Sequence, residues 1–283
     1  FSFLAGNSNV VRLPKSGVES VQIICSVIND VLEDKEFSAL KDSMAFIRYE
    51  KDKRMDAFFS LRCSARLIWG GDETIRRFRS LETTPRCVDL TFADRYSMCV
   101  LSSGAVAVLK NHELTSLAER FVNDSYTLNQ EACSSPHLIM WLGLGQLEAR
   151  GRFWNAVLAV ASERYNLSPM MAVNKYMDLC CDAASGELNI KSVDYLDNLL
   201  YRMDLERLDG DIQQFRGSAG YFYEYETADL LDLRPIVTSK FQTLTYYGLD
   251  SNILRDIVID NGLPGVDRVV PIGMALEMDV VWD

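Results

Sequence analysis

The chain has 283 residues, enough for two domains, and its 48% hydrophobic and 24% charged content supplies a core and excludes a disordered polymer. Its 29 basic residues stand against 40 acidic ones, and a net charge of −11 repels nucleic acid and anionic membrane surfaces. No apolar run approaches the ~20 residues that cross a bilayer, so membrane insertion is excluded as well.

The opening, FSFLAGNSNVV, has no initiator Met and no basic stretch ahead of an apolar one. It reads as the interior of a domain, and the expectation is that an N-terminal part precedes it. In chain order, Asn9 to Leu13 is a strand stopped by Pro14. Gly17 to Leu32 places Val18, Val21, Ile24, Cys25, Ile28 and Val31 at the spacing of one buried helical face. Met44 to Tyr49 is a second strand, and Arg54 to Leu61 a helix. Ala65 to Trp69 is a third strand, running into Gly70-Gly71-Asp72, where Asp72 is placed to cap a helix from Glu73 to Phe78. Strands follow at Val88 to Phe92 and Met98 to Leu101.

A longer helix is expected from His112 to about Leu128, with Leu114, Leu117, Ala118, Phe121 and Val122 on its apolar face. His137 to Trp141 is a strand, and Gln146 to Tyr165 and Pro169 to Cys181 are helices. The pattern of Ser192 to Tyr225 defines no element. Phe241 to Tyr246 reads as a strand, Ser251 to Asp260 as a helix, and Arg268 to Ile272 as a strand. This β-α-β rhythm predicts an α/β fold with a mainly parallel sheet, which binds ligands at the C-terminal ends of its strands. The boundary is placed near Asn129: residues 1–128 form one domain, 129–272 a second, and 273–283 return toward the first.

The seven cysteines are odd in number and irregularly spaced, without a CxxC, which points to reduced thiols in the cytoplasm. With only His112 and His137 as imidazole donors, no zinc site is expected. Cys25, Cys99, Cys180 and Cys181 read as buried packing residues. Cys133 differs: it stands in a polar turn between a long helix and an apolar strand, at the expected domain junction. A thiolate there attacks an acyl carbonyl readily and leaves readily, and backbone N–H groups around Cys133 and Ser134 could stabilise the oxyanion. The plain alternative is one more small loop residue. His137 is read as structural rather than as a base for Cys133, and Tyr221, Phe222 and Tyr223 as core rather than an acyl tunnel.

The segment LNQEACSSPHLIMW, Leu128 to Trp141, resembles the nucleophile segment of the aldehyde dehydrogenase superfamily, and more closely that of the luminescence-type (LuxC-like) fatty acyl-CoA reductases, which carry ACSSP. LAGNSNVVRLP (Leu4 to Pro14), LIWGGDETIRRFR (Leu67 to Arg79), FADRYS (Phe92 to Ser97), FQTLTYYGL (Phe241 to Leu249) and the stretch from Gly265 to Asp283 agree in the same order. The resemblance implies an aldehyde-dehydrogenase-like fold: a partial Rossmann-type cofactor domain over 1–128 and an α/β catalytic domain after it. It implies a fatty acyl-CoA reductase in which Cys133 takes the acyl group as a thioester, NADPH (NADP) delivers the hydride, and the fatty aldehyde departs.

By the same resemblance Asn129 shapes the Cys133 loop, Arg12 meets the 2′-phosphate of the cofactor, and Gly70, Gly71 and Asp72 form the turn near its pyrophosphate. Hydrolytic relatives carry a Glu as the base for water in a stretch that aligns with Leu90 to Asp94; here Thr91 stands in that place on the cofactor side of the site. Each has a plain counterpart: a surface Arg, an ordinary Gly-Gly turn, a helix C-terminal Asn. The implied partners are fatty acyl-CoA, or an acyl group handed over by a partner enzyme, and a second copy of the chain in a homo-oligomer. Two other readings stay open: a CoA-acylating aldehyde dehydrogenase working oxidatively with NAD, and an inactive scaffold subunit.

Overall fold

The computed structural model describes residues 2–14, 19–208 and 210–277. The chain forms two compact units, residues 1–93 and 94–283. That division falls well before Asn129. The sheet runs continuously across the expected boundary, because the strands on either side of Asn129 pair with each other.

In the first unit, β1 (Asn9–Arg12) pairs in parallel with β2 (Met44–Ile47), and β3 (Ala65–Gly70) with β4 (Val88–Ala93). The helix α1 (Glu19–Glu33) connects the first pair, and α2 (Lys53–Ser60) and α3 (Asp72–Arg79) flank β3 in the chain. The Asp52 carboxylate opens α2 by accepting the Arg54 N–H at 2.8 Å. One face of β3–β4 carries Arg66, whose guanidinium grips Asp89 through two bonds of 2.7 and 2.6 Å. Arg66 also donates to Ser60 Oγ and to the Phe78 carbonyl, tying α2 and the end of α3 to the strands. The other face shows Leu67, Trp69, Leu90 and Phe92, all exposed, with the Trp69 and Phe92 rings stacked 4.4 Å apart. The stripe expected to bury α1 is only partly covered: Val21, Cys25 and Ile28 are half-buried and Ile24 and Val31 exposed, while Leu32, outside that stripe, is buried. Val18, expected on the same stripe, lies outside the described residues.

The second unit is built on seven strands: β5 (Tyr96–Ser102), β6 (Pro136–Leu142), β7 (Ile190–Leu196), β8 (Leu200–Leu205), β9 (Tyr221–Thr227), β10 (Phe241–Tyr247) and β11 (Arg268–Pro271). Their order across the sheet is β11-β10-β5-β6-β9-β8-β7. Every neighbouring pair is parallel except β7 with β8. The stretch that sequence left undefined thus holds three strands. Helices α4 (Ser103–Ala107), α5 (Asn111–Ser125), α6 (Leu147–Arg164), α7 (Pro169–Ser185) and α8 (Ser251–Asp260) complete the unit.

Both sheet faces are covered. Met98, Val100, Leu138, Met140, Tyr221 and Tyr223 point into one apolar layer. Cys99, Leu101, Ile139, Trp141 and Phe222 point into the other, against Phe121 of α5 and Phe153 and Trp154 of α6. The five residues expected on the apolar face of α5 are all buried, and Tyr221, Phe222 and Tyr223 are core. Cys99 is buried and Cys25 half-buried, whereas Cys180 and Cys181 are exposed, against expectation. The buried side of α7 carries Lys175 and Leu179, which turns the two cysteines outward. Of the segment 273–283, Gly273 and Ala275 donate their N–H groups to the Asp124 carboxylate at 2.6 and 3.0 Å. Residues 278–283 lie outside the described residues.

Candidate functional site

The loop bearing Cys133 runs from the end of α5 into β6. It passes through Asn129 and Gln130, whose φ values of 54° and 63° are left-handed, a conformation that costs a residue with a Cβ about 1–2 kcal/mol. Local bonds fold the turn, from the Asn129 N–H to the Tyr126 carbonyl, Glu131 to Leu128 and Ser135 to Ala132, each 2.9 Å. Long-range bonds hold it. The Gln130 side chain is fully buried and uses its whole amide: it donates to the carbonyls of Pro136 (3.0 Å) and Tyr221 (2.9 Å) and accepts the N–H groups of Gly220 (3.0 Å) and Tyr221 (3.1 Å). The Asn129 side chain accepts the Tyr165 hydroxyl at 2.8 Å, and its carbonyl accepts the Ala219 N–H at 2.9 Å.

The partner segment is itself strained, with Ala219 at φ 53° and Gly220 at 90°. A Cβ on Gly220 would lie 2.3 Å from the Leu199 carbonyl oxygen, so only glycine fits. Beneath it Lys175 of α7, fully buried, donates to the carbonyls of Asn198 and Ala219. Burial pulls its pKa down to about 7.

At the tip, Cys133 is exposed and Ser134 half-buried. Among the described residues the Cys133 thiol makes no hydrogen bond, and neither the Cys133 nor the Ser134 backbone N–H has an acceptor. The Cys133 carbonyl accepts the Ser97 hydroxyl at 2.7 Å. An accessible sulfur beside two undonated N–H groups is the arrangement that acyl chemistry requires. His137 is buried and stacks on Tyr96 at 5.3 Å, and burial with the nearby Arg216 cation pulls its pKa down to about 3, as suits a neutral packing residue. Arg216 pairs with Asp94 at 2.7 Å.

The Cys133 loop enters β6 at its N-terminal end, beside the first residues of β5 and β9, whereas the sequence expectation placed ligands at C-terminal strand ends. That expectation concerns helix N-termini that follow strands, and here the loop precedes its strand. The candidate cofactor residues do stand at C-terminal ends. Arg12 closes β1 and lies exposed, its guanidinium 4.5 Å above the Tyr49 ring. Gly70 closes β3, where a Cβ would sit 3.1 Å from that of Thr74. Gly71, rather than Asp72, is the N-cap of α3 and supplies no side-chain cap; Asp72 is the first helical residue, because Gly71 is still extended at φ −62°, ψ 165°. Thr91 lies near the end of β4 and accepts Arg79 Nη2 at 3.2 Å. These residues belong to the first unit, and Asn129 and Cys133 to the second.

Sequence reasoning missed Ser97, Gln130 and Lys175. Gln130 sits in the quoted NQEACSSP string, Lys175 four residues before the buried Leu179 on α7, and Ser97 at the end of the quoted FADRYS string, where nothing local points to Cys133.

Among solved structures the fold is that of the aldehyde dehydrogenases. A lactaldehyde dehydrogenase superposes with a TM-score of 0.66 at 9% identity, over 95% of this chain and 57% of that one. A proline utilization A variant from Bradyrhizobium japonicum gives 0.63 at 13%, over 95% and 28%. An NAD-dependent benzaldehyde dehydrogenase from Corynebacterium glutamicum gives 0.56 at 10%, over 84% and 54%. The chain therefore spans little more than half of these proteins, or less. No curated protein sequence matches it. The acyl-CoA reductase (LuxC) family matches residues 1–164, more than half of the chain, and the chain belongs to that family. Among the described residues no helix is long and apolar enough to cross a membrane, and no cluster of His, Cys, Asp and Glu could hold a metal.

Proposed function

We propose that the protein reduces a long-chain fatty acyl-CoA to the fatty aldehyde with NADPH, through an acyl-enzyme on Cys133. The observation that carries this reading is the exposed Cys133 thiol, flanked by undonated N–H groups, in a chain of the acyl-CoA reductase family. The Cys133 thiolate attacks the thioester carbon and the carbonyl electrons move to oxygen, where the N–H groups of Cys133 and Ser134 receive the negative charge. The oxyanion collapses and coenzyme A leaves as a thiolate that takes up a proton. Cys133 then holds the acyl group as a thioester. When bound, NADPH supplies the hydride that reduces this thioester. Cys133 departs as the thiolate, freeing the aldehyde and restoring the site.

The first unit suits a dinucleotide. The first-turn N–H groups of α3 carry no side-chain cap, and Gly71 has open space where a Cβ would be. Gly70, Gly71 and Asp72 would lie along its phosphates, and the exposed Arg12 would meet a 2′-phosphate through a two-pronged contact. Thr91 stands where hydrolytic relatives place a Glu, and a hydroxyl bound to Arg79 does not activate water against the acyl-enzyme. On this reading the cofactor belongs to the first unit and the acyl chemistry to the second, Asn129 fixes the loop, a partner enzyme supplies acyl groups, and the protein works as a homo-oligomer in the reducing cytoplasm.

The test is incubation of the whole protein with radiolabelled long-chain acyl-CoA. Label is expected on Cys133, is lost on adding NADPH but not NAD, and never appears in Cys133→Ala. Equal labelling of Cys133→Ala would overturn the mechanism.

A further inference from the structure

The oxyanion donors are backbone groups, and what aims a backbone N–H is whatever holds the carbonyl on the other side of the same peptide. In a trans peptide the C=O of one residue and the N–H of the next point in opposite directions, and no cis bond occurs among the described residues. The peptide joining Cys133 to Ser134 has its carbonyl bound to the Ser97 hydroxyl at 2.7 Å. Ser97 lies at the start of β5, is fully buried, and accepts the Thr243 N–H of β10 at 3.1 Å. Its hydroxyl proton is therefore directed at Cys133, and its lone pair is occupied by a rigid strand. The carbonyl is drawn toward the sheet, so the Ser134 N–H is turned away from it. That N–H belongs to the residue following the thiol, a position from which a donor reaches an oxyanion formed on the nucleophile, and it has no other acceptor among the described residues.

We propose that Ser97 is a positioning residue of the oxyanion site, holding the Cys133–Ser134 peptide so that the Ser134 N–H meets the oxyanion formed on Cys133. The inference rests on the reading of Cys133 as the acyl acceptor. In this role Ser97 acts through that peptide, by the bond from its hydroxyl to the Cys133 carbonyl. Without its hydroxyl the peptide is free to rotate, and the buried strand ends keep the rest of the loop through Gln130.

Two reactions of the same sulfur separate this role from a general structural one. Alkylation by iodoacetamide passes through no oxyanion, whereas acylation by a long-chain acyl-CoA does. In Ser97→Ala, acylation of Cys133 is expected to slow by roughly 100-fold, the scale of losing one oxyanion donor, while alkylation stays within about threefold of the wild type. Ser97→Thr, which keeps the hydroxyl, should restore acylation. Should Ser97→Ala fail to fold, Ser97→Cys, close in volume and a weak donor, carries the same expectation. Equal slowing of both reactions, or unchanged acylation, would overturn the role of Ser97. A wild-type protein that is alkylated at Cys133 but never acylated would remove the underlying reading, and the inference with it.

Discussion

The two units share a β-α-β sequence rhythm but differ in how they are covered. In β5 and β6 of the second unit nearly every residue is buried, whichever face it points to. In β3 and β4 of the first, one face is packed and the other leaves Leu67, Trp69, Leu90 and Phe92 exposed. The polar chemistry divides in the same way. Among the described residues the first unit holds two smaller part-buried pairs, Arg66 with Asp89 and Arg77 with the buried Asp56. The second buries the Glu224 carboxylate among four donors: the indoles of Trp141 (2.6 Å) and Trp154 (2.8 Å), and the guanidinium groups of Arg150 (3.3 Å) and Arg202 (3.1 Å). Apolar patterning alone does not tell a strand covered twice from one covered once; the difference lies in what the rest of the chain brings to it.

The largest expected effect follows from that carboxylate. Glu224→Leu leaves two indole N–H groups and two cations facing a hydrocarbon, and about 3–5 kcal/mol of stability should be lost, read as a shift in the urea midpoint. A loss under 1 kcal/mol would mean that water reaches the cluster and that the second unit is covered no better than the first.

An intermediate effect is expected at Lys175. Its folded pKa of about 7 lies below the value of 10.5 for a free lysine, so between those values the unfolded chain holds the extra proton and stability rises with pH. The contribution is at most about 1.4 kcal/mol per pH unit. Comparing the wild type with Lys175→Met by urea unfolding at pH 7 and pH 9 isolates it: the wild type should gain about 2 kcal/mol more than the variant over that interval. Equal slopes would show that the ammonium is solvated rather than held under Ala219.

These residues also mark what was legible in the sequence. Helix α5 was, because its five apolar residues recur at helical spacing and all find the core. The Cys133 loop was, because it is one contiguous string. The three strands β7 to β9 were not: β9 carries Glu224 at its centre, whose four donors come from three other elements, and the turn before it depends on left-handed Ala219. The supports of the loop escaped for the same reason. Ser97 meets Cys133 across 36 positions and Gln130 meets Tyr221 across 91, and no local pattern encodes pairings at that range.

The smallest effect is expected on the open face of the first unit. Leu90 is 48% exposed, so Leu90→Thr trades a half-wet leucine for a β-branched residue that suits a strand. It should change stability by less than about 0.5 kcal/mol. The same substitution at Leu138 of β6, fully buried, opens a cavity and buries a hydroxyl, for a loss of about 3 kcal/mol. The contrast has one sharp failure. If Leu90→Thr in the whole protein costs as much as Leu138→Thr, its side chain must be out of water there, and the face that distinguishes the first unit from the second is covered in solution.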